Sequence, residues 1–439
     1  MFDIIRDMTQ WSESLWGDEG FSAIAVQRPF GQMLGVVMRD TAPPLFYVVG
    51  WIWGRLFGFS EVSLRSLTLL LMIGTSIFVS LIVYKIQKSK PVAILAGLLV
   101  LLNPFLERFA FEWRMYAILA FTVTGSIYFW MQKKWMGYVI FTLAALYTHH
   151  FALFTVAGQA LWHLIFEFQW SKPTTYLKQL RPYILVGLGY LPWIYPMYLQ
   201  ITRVKGSGFW LSVPPVSQLP KEIFNFVSAG IPEKWRWIMV GLGLLLVSKN
   251  WRLVGKSWVK LFVVFFSPVV LSLVVSYLLT PIFYDRYLLS VVVGVSLLLA
   301  LGTRRQLVPM LLGLGLIYGY FSWNQFIHPS KRPFKQLAAY VKSEQRSGDY
   351  LINYNGRAHH LWESKYYGIP APIYVPGEPL PLYVGTAQMT PQDTISSLPA
   401  WISGRLGVIS SEPVEQISLP GYRLTEVRRF GELSVGWWQ

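Results

Sequence analysis

The chain has 439 residues, of which 54% are hydrophobic and only 14% are charged, and its mean hydropathy is +0.41. Soluble domains carry about 25% charged residues, so this composition excludes a soluble globular protein. The absence of cysteine excludes disulfides, thiolate metal sites and cysteine nucleophiles, and the net charge of +16 is spread over separate loops, unlike the single basic stripe of a nucleic-acid-binding protein.

The N-terminal segment contains two acidic stretches in apolar surroundings. Asp18 and Glu19 are adjacent on a glycine-flanked turn in SLWGDEGFS, and Asp40 follows in RDTAPPLFY. A solvated loop would not surround its acids with large aliphatic and aromatic side chains, so the sequence indicates a site here. The apolar run from Pro43 to Phe59 comes next, and by itself it is compatible with either a membrane span or a helix at the membrane surface.

Ten long apolar runs then predict transmembrane helices. They lie near 66–86, 91–106, 115–131, 135–148, 151–168, 182–199, 236–248, 259–279, 286–302 and 306–322. The loops after the first, third, fifth, seventh and ninth runs are basic and hold almost no acid. Their charges are Lys85, Lys88, Lys90, Lys133, Lys134, Lys172, Lys178, Arg181, Lys249, Arg252, Lys256, Lys260, Arg304 and Arg305.

The positive-inside rule places these basic loops in the cytoplasm. The alternate loops, the segment before Ser66 and everything after Ser322 then lie outside. Residues 43–59 must form a helix on the outer face that does not cross the membrane, because one more crossing would invert the pattern. No span precedes this outer N-terminal segment, so either it crosses the membrane unaided or a further helix lies upstream of Met1, and we favour the second.

From about Pro329 the sequence turns polar and predicts a small α/β domain outside the membrane. Apolar residues at i, i+3, i+4 and i+7 predict a helix from Phe334 to Val341 that ends by Gly348. The predicted strands are Tyr350–Asn353, Ile373–Val375, Leu406–Ile409 and Leu424–Val427, with helix-like pieces near 357–367 and 391–399. The chain thus divides into an outer loop region over 1–65, a transmembrane domain over 66–325 and an extracytoplasmic domain over 326–439.

Further polar motifs fall at the outer ends of the predicted spans. They are ERFAFEWRMYA with Glu112, Arg114 and Tyr116, YTHHFA with His149 and His150, and FYDRYLL with Arg286 and Tyr287. Each of these residues, considered alone, can be explained without an active site. An arginine at the end of a span can simply extend its charge to the membrane surface, and this is as probable as a functional role. A tyrosine or histidine at such a position more often packs at the membrane interface. Motifs far apart in the chain nevertheless fall on one side of the membrane, which favours a single site.

Acids, arginines and aromatic residues at a lipid–water boundary suit the transfer of a group from a phosphate-bearing lipid to a hydroxyl. Arginine binds phosphate through a planar fork of donors. A neighbouring acid can deprotonate a hydroxyl or hold a divalent cation. Aromatic side chains can pack against sugar rings.

The motifs, in this order, resemble those of the GT-C glycosyltransferases. The run SLWGDEG, then DTAPPL, then FGFSEVSLRSLT is similar to the first outer loop of the bacterial family-39 type, which is related to protein O-mannosyltransferases and lipid A aminoarabinose transferases. FEWRMYA, YTHHFA and DRYLL resemble that family's acid–x–Arg–x–Tyr, Tyr-x-His and late Arg-Tyr stretches. The likeness covers residues 14 to about 325. This sequence departs from the family in lacking a helix just before the Asp-Glu loop.

The resemblance implies a polytopic α-helical membrane protein with a GT-C-like fold. Such a fold has about ten transmembrane helices, juxtamembrane helices on the outer face and a small C-terminal α/β extracytoplasmic domain. It also implies an inverting glycosyltransferase on the outer face of the cytoplasmic membrane. The enzyme would move a hexose or pentose from a polyprenyl-phosphate donor to a hydroxyl of a lipid, a glycan or a protein.

The resemblance also suggests roles for individual residues. Asp18 and Glu19 would form the catalytic pair, with Asp18 as general base or, in a metal-dependent enzyme, as a ligand of Mg²⁺ or Mn²⁺. Arg114 and Arg286 would hold the donor phosphate. The substrate pocket would be lined by Asp40, Glu112, Tyr116, His149, His150 and Tyr287.

Two other classes of function stay open on the sequence alone: a lipid-linked sugar flippase or transporter, and a non-catalytic membrane scaffold. Transporters often have paired repeats and polar residues near the bilayer midplane, and the sequence shows neither. A scaffold would not need clustered acids on the outer face. A hydrolase is weaker still, since the sequence has no nucleophile elbow and no HExxH pattern.

Overall fold

The computed structural model describes residues 8–207, 211–228, 230–248, 255–303, 305–354, 358–369, 371–377, 380 and 385–439. Within these ranges the chain forms a series of apolar helices followed by a C-terminal domain with a six-stranded sheet. Of the residues used to orient the predicted spans, Lys249, Arg252 and Arg304 lie outside the described part.

From residue 8 onward, three short helices precede the first long one: α1 (Gly17–Gln27), α2 (Phe30–Arg39) and α3 (Leu45–Phe57). The predicted turn at Asp18 and Glu19 is wrong, because both residues lie in the first turn of α1. Their negative charges suit the positive end of the helix dipole, and Glu19 accepts the N–H of Trp16 at 3.3 Å. With 13 residues, α3 is about 20 Å long, and whether it crosses the membrane remains a prediction from the loop charges.

A helix lies at each of the ten positions predicted to span the membrane. These are α4 (Glu61–Gln87), α5 (Lys90–Leu101), α7 (Tyr116–Met131), α8 (Trp135–Leu146), α9 (Ala152–Trp162), α10 (Tyr176–Ser207), α12 (Glu233–Ser248), α13 (Lys256–Leu278), α14 (Leu289–Leu301) and α15 (Val308–Ile327). Two further α-helices of the described part, α6 (Pro104–Ala110) and α11 (Leu219–Val227), lie between them. The predicted helical architecture is therefore confirmed.

Three described segments are long and apolar enough to cross a membrane by themselves: Glu61–Gln87, Pro173–Gly206 and Lys256–Leu278. A fourth is the pair α5 and α6, if its two helices, bent by 64°, are counted as one span. The bend has a local cause, since Asn103 caps a new helix by accepting the N–H groups of Phe105 and Leu106. The chain is a multi-pass membrane protein.

The C-terminal domain contains α16 (Phe334–Glu344) and α17 (Ala358–Tyr366) beside one mixed sheet. Its strands are β1 (Tyr350–Asn353), β2 (Ile373–Tyr374), β3 (Thr394–Ile395), β4 (Leu406–Ser410), β5 (Leu424–Phe430) and β6 (Leu433–Trp438), in the order β3-β2-β1-β4-β6-β5. The pairs β3–β2, β2–β1 and β1–β4 are parallel, whereas β6 runs antiparallel to both β4 and β5.

The predicted helix from Phe334 and the four predicted strands are confirmed. The helix predicted near 391–399 is wrong: a single 3₁₀ turn at 391–393 leads into β3, whose pairing with β2 satisfies the backbone. Strand β6 was not predicted, because all six of its residues are buried and its sequence lacks the alternation typical of a half-exposed strand. The limits drawn at 65 and 325 remain predictions, and the first long helix begins at Glu61.

The C-terminal domain packs directly on α1 through α17. Gly20 makes this close approach possible, because a Cβ at that position would lie 3.0 Å from the carbonyl carbon and oxygen of Trp362. The ring of Trp362 packs edge-on against Phe21, with centroids 5.4 Å apart. Gln388 donates to the carbonyl of Phe21 at 2.8 Å. The domain therefore contacts the helix that carries Asp18.

Candidate active site

Asp18 lies between two arginines from distant parts of the chain. Its Oδ2 is 3.6 Å from Nη1 of Arg286 and 3.9 Å from Nη2 of Arg114. Arg114 also donates from Nη1 to the carbonyl of Asp18 at 3.3 Å and to Oγ of Ser22 at 2.8 Å, so α1 itself orients this guanidinium. The Asp18 side chain keeps 24% of its surface exposed, which leaves the carboxylate accessible to a substrate.

Glu19 has entirely different surroundings from its neighbour. It is fully buried and accepts two hydrogen bonds from Arg65, one from the N–H of Trp113 at 2.7 Å and one from Nζ of Lys331 at 3.1 Å. Burial opposes ionisation, but the charges of Arg65 and Lys331 outweigh it and lower the pKa of Glu19 to about 2. Both oxygens are occupied by protein donors, so Glu19 joins α1 to the loop over 111–115.

Two cations that pair with Glu19, Arg65 and Lys331, were not predicted from the sequence. Arg65 is fully buried and also donates to four backbone carbonyls, those of Gln10, Trp11, Glu13 and Ser14. A signal for it was present, because Arg65 stands in FGFSEVSLRSLT at the start of an apolar run, where an unpaired charge is costly. No sequence pattern pointed to Lys331, which reaches Glu19 only through the fold.

Asp40 lies at the end of α2 and is buried near Arg114. Burial raises the pKa of Asp40 to about 6; the charge of Arg114 opposes this rise and that of Asp18 adds to it. Asp18 and Asp40 therefore interact with the same arginine, one as an accessible carboxylate and the other as a buried one.

Tyr116, His149 and Tyr287 form an aromatic wall beside Arg114. Ring centroids are 5.0 Å apart for His149 and Tyr287, 6.4 Å for Tyr116 and Tyr287, and 6.5 Å for Tyr116 and His149. Nδ1 of His149 accepts the N–H of Phe151 at 3.1 Å, so the proton of the neutral ring is on Nε2. Burial lowers the pKa of His149 to about 3, and the ring is therefore neutral at physiological pH.

His150 connects this wall to the C-terminal part of α10. Its Nε2 lies 3.1 Å from Oε1 of Gln200, and Gln200 donates in turn to the carbonyls of Val37 and Ala42 at 3.0 and 3.2 Å. Burial lowers the pKa of His150 to about 4. Its contacts thus hold α10 against the connection between α2 and α3.

A cavity of about 360 Å³, which we call the apolar cavity, opens beside the aromatic wall. Arg114, Tyr116, His149, His150 and Tyr287 line one part of it. Most of the remaining lining is apolar: Phe151, Leu153, Phe154, Met197, Ile201, Val204, Val275, Leu279 and Ile282. The cavity thus combines a lipid-like lining with a guanidinium that also contacts Asp18.

A second space of about 110 Å³, which we call the polar cavity, lies next to Arg286. Its polar lining residues are Arg108, Glu112, Tyr284, Asp285, Arg286 and Gln325. Glu112 is only 3% exposed, and its Oε1 has no hydrogen-bond partner among the described residues. Burial raises the pKa of Glu112, against the opposing charges of Lys331 and Arg286.

The Asp18–Glu19 pair does not fit a shared site for Mg²⁺ or Mn²⁺. Such a site needs several free oxygens, and both oxygens of Glu19 accept hydrogen bonds from cations or from backbone N–H. In the part of the chain that the structure describes, no cluster of three or more histidine, aspartate or glutamate residues is arranged to bind a metal ion.

No protein-family model and no curated protein matches the sequence. Two solved structures share its architecture, both of ArnT from Cupriavidus metallidurans. The apo structure matches with a TM-score of 0.54, and the structure bound to undecaprenyl phosphate with 0.51. Each comparison covers 99% of this chain and 96% of ArnT at 14% sequence identity. The chain has the fold of ArnT. At this identity the likeness to ArnT shows the fold alone, and that fold is the GT-C-like one that the motifs implied.

Proposed function

We propose that this protein transfers a sugar from a polyprenyl-phosphate donor to a hydroxyl acceptor. The proposal rests on the position of Asp18, which lies between Arg114 and Arg286 beside the apolar cavity. A polyprenyl phosphate needs an apolar space for its isoprenoid units and cations for its phosphate, and the site supplies both next to a carboxylate. The shared fold supports the proposal, since one ArnT structure contains undecaprenyl phosphate.

In the proposed reaction Asp18 acts as the general base. It takes the proton of the acceptor hydroxyl while that oxygen bonds to the anomeric carbon of the donor sugar. The bond from this carbon to the phosphate oxygen breaks, and the electron pair leaves with the polyprenyl phosphate. Arg114 and Arg286 stabilise the charge that develops on the phosphate, so the leaving group needs no acid. Attack opposite the phosphate inverts the anomeric carbon.

Glu19 takes a positioning role in this scheme. It fixes the N–H of Trp113, the residue just before Arg114, while the same helical turn presents Asp18 to the substrate. The two arginines supply the positive charge that a divalent cation would otherwise bring to the phosphate. The proposed reaction therefore runs without Mg²⁺ or Mn²⁺, and a chelator should leave turnover unchanged.

We also propose that the site faces the outside of the cytoplasmic membrane. Helix α7 begins at Tyr116, in the site, and ends at Met131, just before Lys133 and Lys134. The site and this basic loop therefore lie at opposite ends of one helix, and the positive-inside rule places the basic loop in the cytoplasm. The C-terminal domain, which packs on α1, is then extracytoplasmic as well. The acceptor is a lipid, glycan or protein hydroxyl on that side, and the sugar is a hexose or a pentose.

Mass spectrometry of a deletion strain tests the proposal. Without the protein, the sugar-bearing polyprenyl phosphate should accumulate, and one envelope glycan or glycolipid should lose a sugar. Expression of the wild-type chain should reverse both changes, whereas Asp18→Asn should not. If lipid-linked sugars and envelope glycans are the same with and without the protein, it is not such a transferase. A transporter or scaffold would not depend on the Asp18 carboxylate in this way.

A further inference from the structure

The linker between the last apolar helix and the C-terminal domain is fixed by two adjacent cations. It comprises residues 328–333, between α15 and α16. Arg332 contacts the C-terminal domain: its Nε lies 3.2 Å from Oε2 of Glu432, and its Nη1 lies 3.3 Å from Nε2 of His360. The preceding residue, Lys331, instead contacts the elements that form the candidate active site. The linker therefore connects the two parts of the protein through neighbouring side chains.

Lys331 joins three elements through one ammonium group. Its Nζ donates to Oε2 of Glu19 at 3.1 Å and to the carbonyl of Phe111 at 3.2 Å, and it lies 3.6 Å from Oε1 of Glu13. Its backbone N–H donates to the other oxygen of Glu13 at 2.9 Å, which fixes the linker itself. An ammonium group has three donors, and this side chain is only 14% exposed, so its contacts are made inside the protein.

The two hydrogen bonds of this ammonium group lead to both kinds of charged group in the proposed reaction. Glu19 follows Asp18 on α1. The carbonyl acceptor belongs to the loop over 111–115, which carries Arg114. Lys331 thus ties the helix of the proposed base to the loop of a phosphate-binding arginine.

The other cation at Glu19 does not make this connection. Arg65 also donates to Glu19, but its remaining hydrogen bonds go to backbone carbonyls of the segment before α1. Without Lys331, Glu13 and Glu19 would share the charge of Arg65, and the loop would lose one of its bonds to α1.

We propose that Lys331 is a positioning residue, which sets Asp18 and Arg114 relative to each other from the linker of the C-terminal domain. This inference rests on the proposed transferase function. Arg114 must hold the donor phosphate while Asp18 takes a proton from the acceptor. A displacement of about 1 Å between such groups can lower the rate by a factor on the order of 10². The linker is thus a component of the active site, and it acts through α1 and the loop over 111–115.

The test measures sugar transfer by the purified full-length protein. The donor is the undecaprenyl-phosphate sugar isolated from the deletion strain, and the acceptor is the envelope fraction of that strain. Lys331→Met removes the ammonium group. Lys335→Met is the matched control, because Lys335 also pairs with a glutamate outside the C-terminal domain, Glu61 at 3.3 Å, but at the start of α4.

We expect the kcat of Lys331→Met to fall by roughly ten- to a hundredfold and its donor KM to rise a few-fold. Lys335→Met should keep both wild-type values. The donor KM is the decisive quantity, because unfolded molecules lower the apparent kcat but leave KM unchanged. In a second variant, Lys331→Arg, the charge and therefore the fold should persist. The bulkier guanidinium must displace the carbonyl of Phe111, so the donor KM should rise here too.

Wild-type kcat and donor KM in folded Lys331→Met would overturn the assignment. A lower kcat at an unchanged donor KM, together with a lower thermal midpoint, would overturn it as well, since simple destabilisation produces that pattern. Equal losses in Lys331→Met and Lys335→Met would do the same. If Lys331→Met does not fold, a wild-type donor KM in Lys331→Arg overturns the assignment. If the wild-type protein transfers no sugar, the proposed function itself fails.

Discussion

Arg65 donates two parallel hydrogen bonds to Glu19, from Nε to Oε1 at 3.0 Å and from Nη2 to Oε2 at 2.7 Å, and both side chains are fully buried. A buried ion pair contributes little more to folding stability than well-packed apolar side chains in its place would. Removal of one partner is nevertheless strongly destabilising, because the other charge is then buried without its partner. The pair lies where α1, α4 and the loop over 111–115 meet. It therefore supports the helix turn that presents Asp18.

Glu19→Gln should destabilise the protein strongly. The neutral amide removes the carboxylate that pairs with the buried guanidinium of Arg65, which costs about 3–5 kcal/mol in the free energy of unfolding. Denaturant unfolding in detergent measures the change. Glu432→Gln is the control, because that carboxylate pairs with Arg332 on the surface and is 76% exposed, and its loss should leave the midpoint unchanged. Similar midpoints for both variants would contradict the role assigned to Glu19.

This contribution of Glu19 also has a defined pH range. The pKa of Glu19 falls from 4.5 to about 2 on folding, because the attraction of Arg65 and Lys331 exceeds the cost of burial. A carboxyl with a lowered pKa contributes stability that is fully present above pH 4.5 and is lost as the pH falls towards 2.

Asp18→Asn should abolish sugar transfer while the protein stays folded. The amide cannot take the proton of the acceptor hydroxyl, so we expect turnover to fall by a factor on the order of 10³. Stability should change little, because the Asp18 side chain is partly exposed and its nearest cationic contacts are 3.6 and 3.9 Å long. Turnover with the purified donor and the thermal midpoint are measured on the same preparation. Wild-type turnover in a folded Asp18→Asn protein would rule out the general-base role.

Donor binding should depend on the charge of Asp40. Its pKa of about 6 means that Asp40 is ionised at pH 7.5 and largely neutral at pH 5.5. The ionised form competes with the donor phosphate for Arg114, so the KM of the donor should fall a few-fold as the pH decreases through 6. His149 and His150 do not titrate near pH 6, because burial lowers the pKa of His149 to about 3 and that of His150 to about 4.

Asp40→Asn isolates this effect. The variant should show the low donor KM at both pH values, and the pH dependence of that KM should vanish. The pH dependence of the contribution of Asp40 to stability follows from the same pKa shift. Folding raises the pKa of this carboxyl from 3.8 to about 6, so Asp40 stabilises the folded state below pH 3.8. This stabilisation is lost as the pH rises through 6. A donor KM that stays pH-dependent in Asp40→Asn would assign the titration to another group.

Gly20→Ala should weaken the contact between α1 and the C-terminal domain. Alanine in place of glycine normally stabilises a helix by up to about 1 kcal/mol. Here the new Cβ would lie 3.0 Å from the backbone of Trp362, so we expect a lower thermal midpoint and faster proteolysis of the domain. Gly31→Ala in α2 is the matched control, because nothing lies within 4 Å of its Cβ position. Gly31→Ala should leave stability unchanged or raise it.

The orientation can be measured by thiol labelling, since the chain has no native cysteine. Gln439→Cys should react with a membrane-impermeant maleimide in intact spheroplasts. Lys133→Cys, at an exposed position after α7, should react only after permeabilisation. The opposite pattern would place the site and the C-terminal domain in the cytoplasm.

The amino-acid sequence determined the membrane class, the positions of ten apolar helices and most of the C-terminal elements. These follow from the length and period of apolar runs, which are local properties of the chain. It also identified the residues that meet around Asp18, because their motifs all fall at the outer ends of predicted spans. The first turn of α1 was not recognised, since no typical N-cap residue stands at Trp16 to mark a helix start.

Only the tertiary structure distinguished the two adjacent acids. Asp18 and Glu19 are the same local signal, but they lie about 100° apart on α1, so that Asp18 faces Arg114 and Arg286 and Glu19 faces the interior. The buried carboxylate then depends on Arg65 and Lys331, which are 46 and 312 residues away in sequence. Contacts between residues so far apart produce no periodic pattern in the sequence. Packing in the folded protein therefore decides that Asp18 is the proposed base and Glu19 a structural carboxylate.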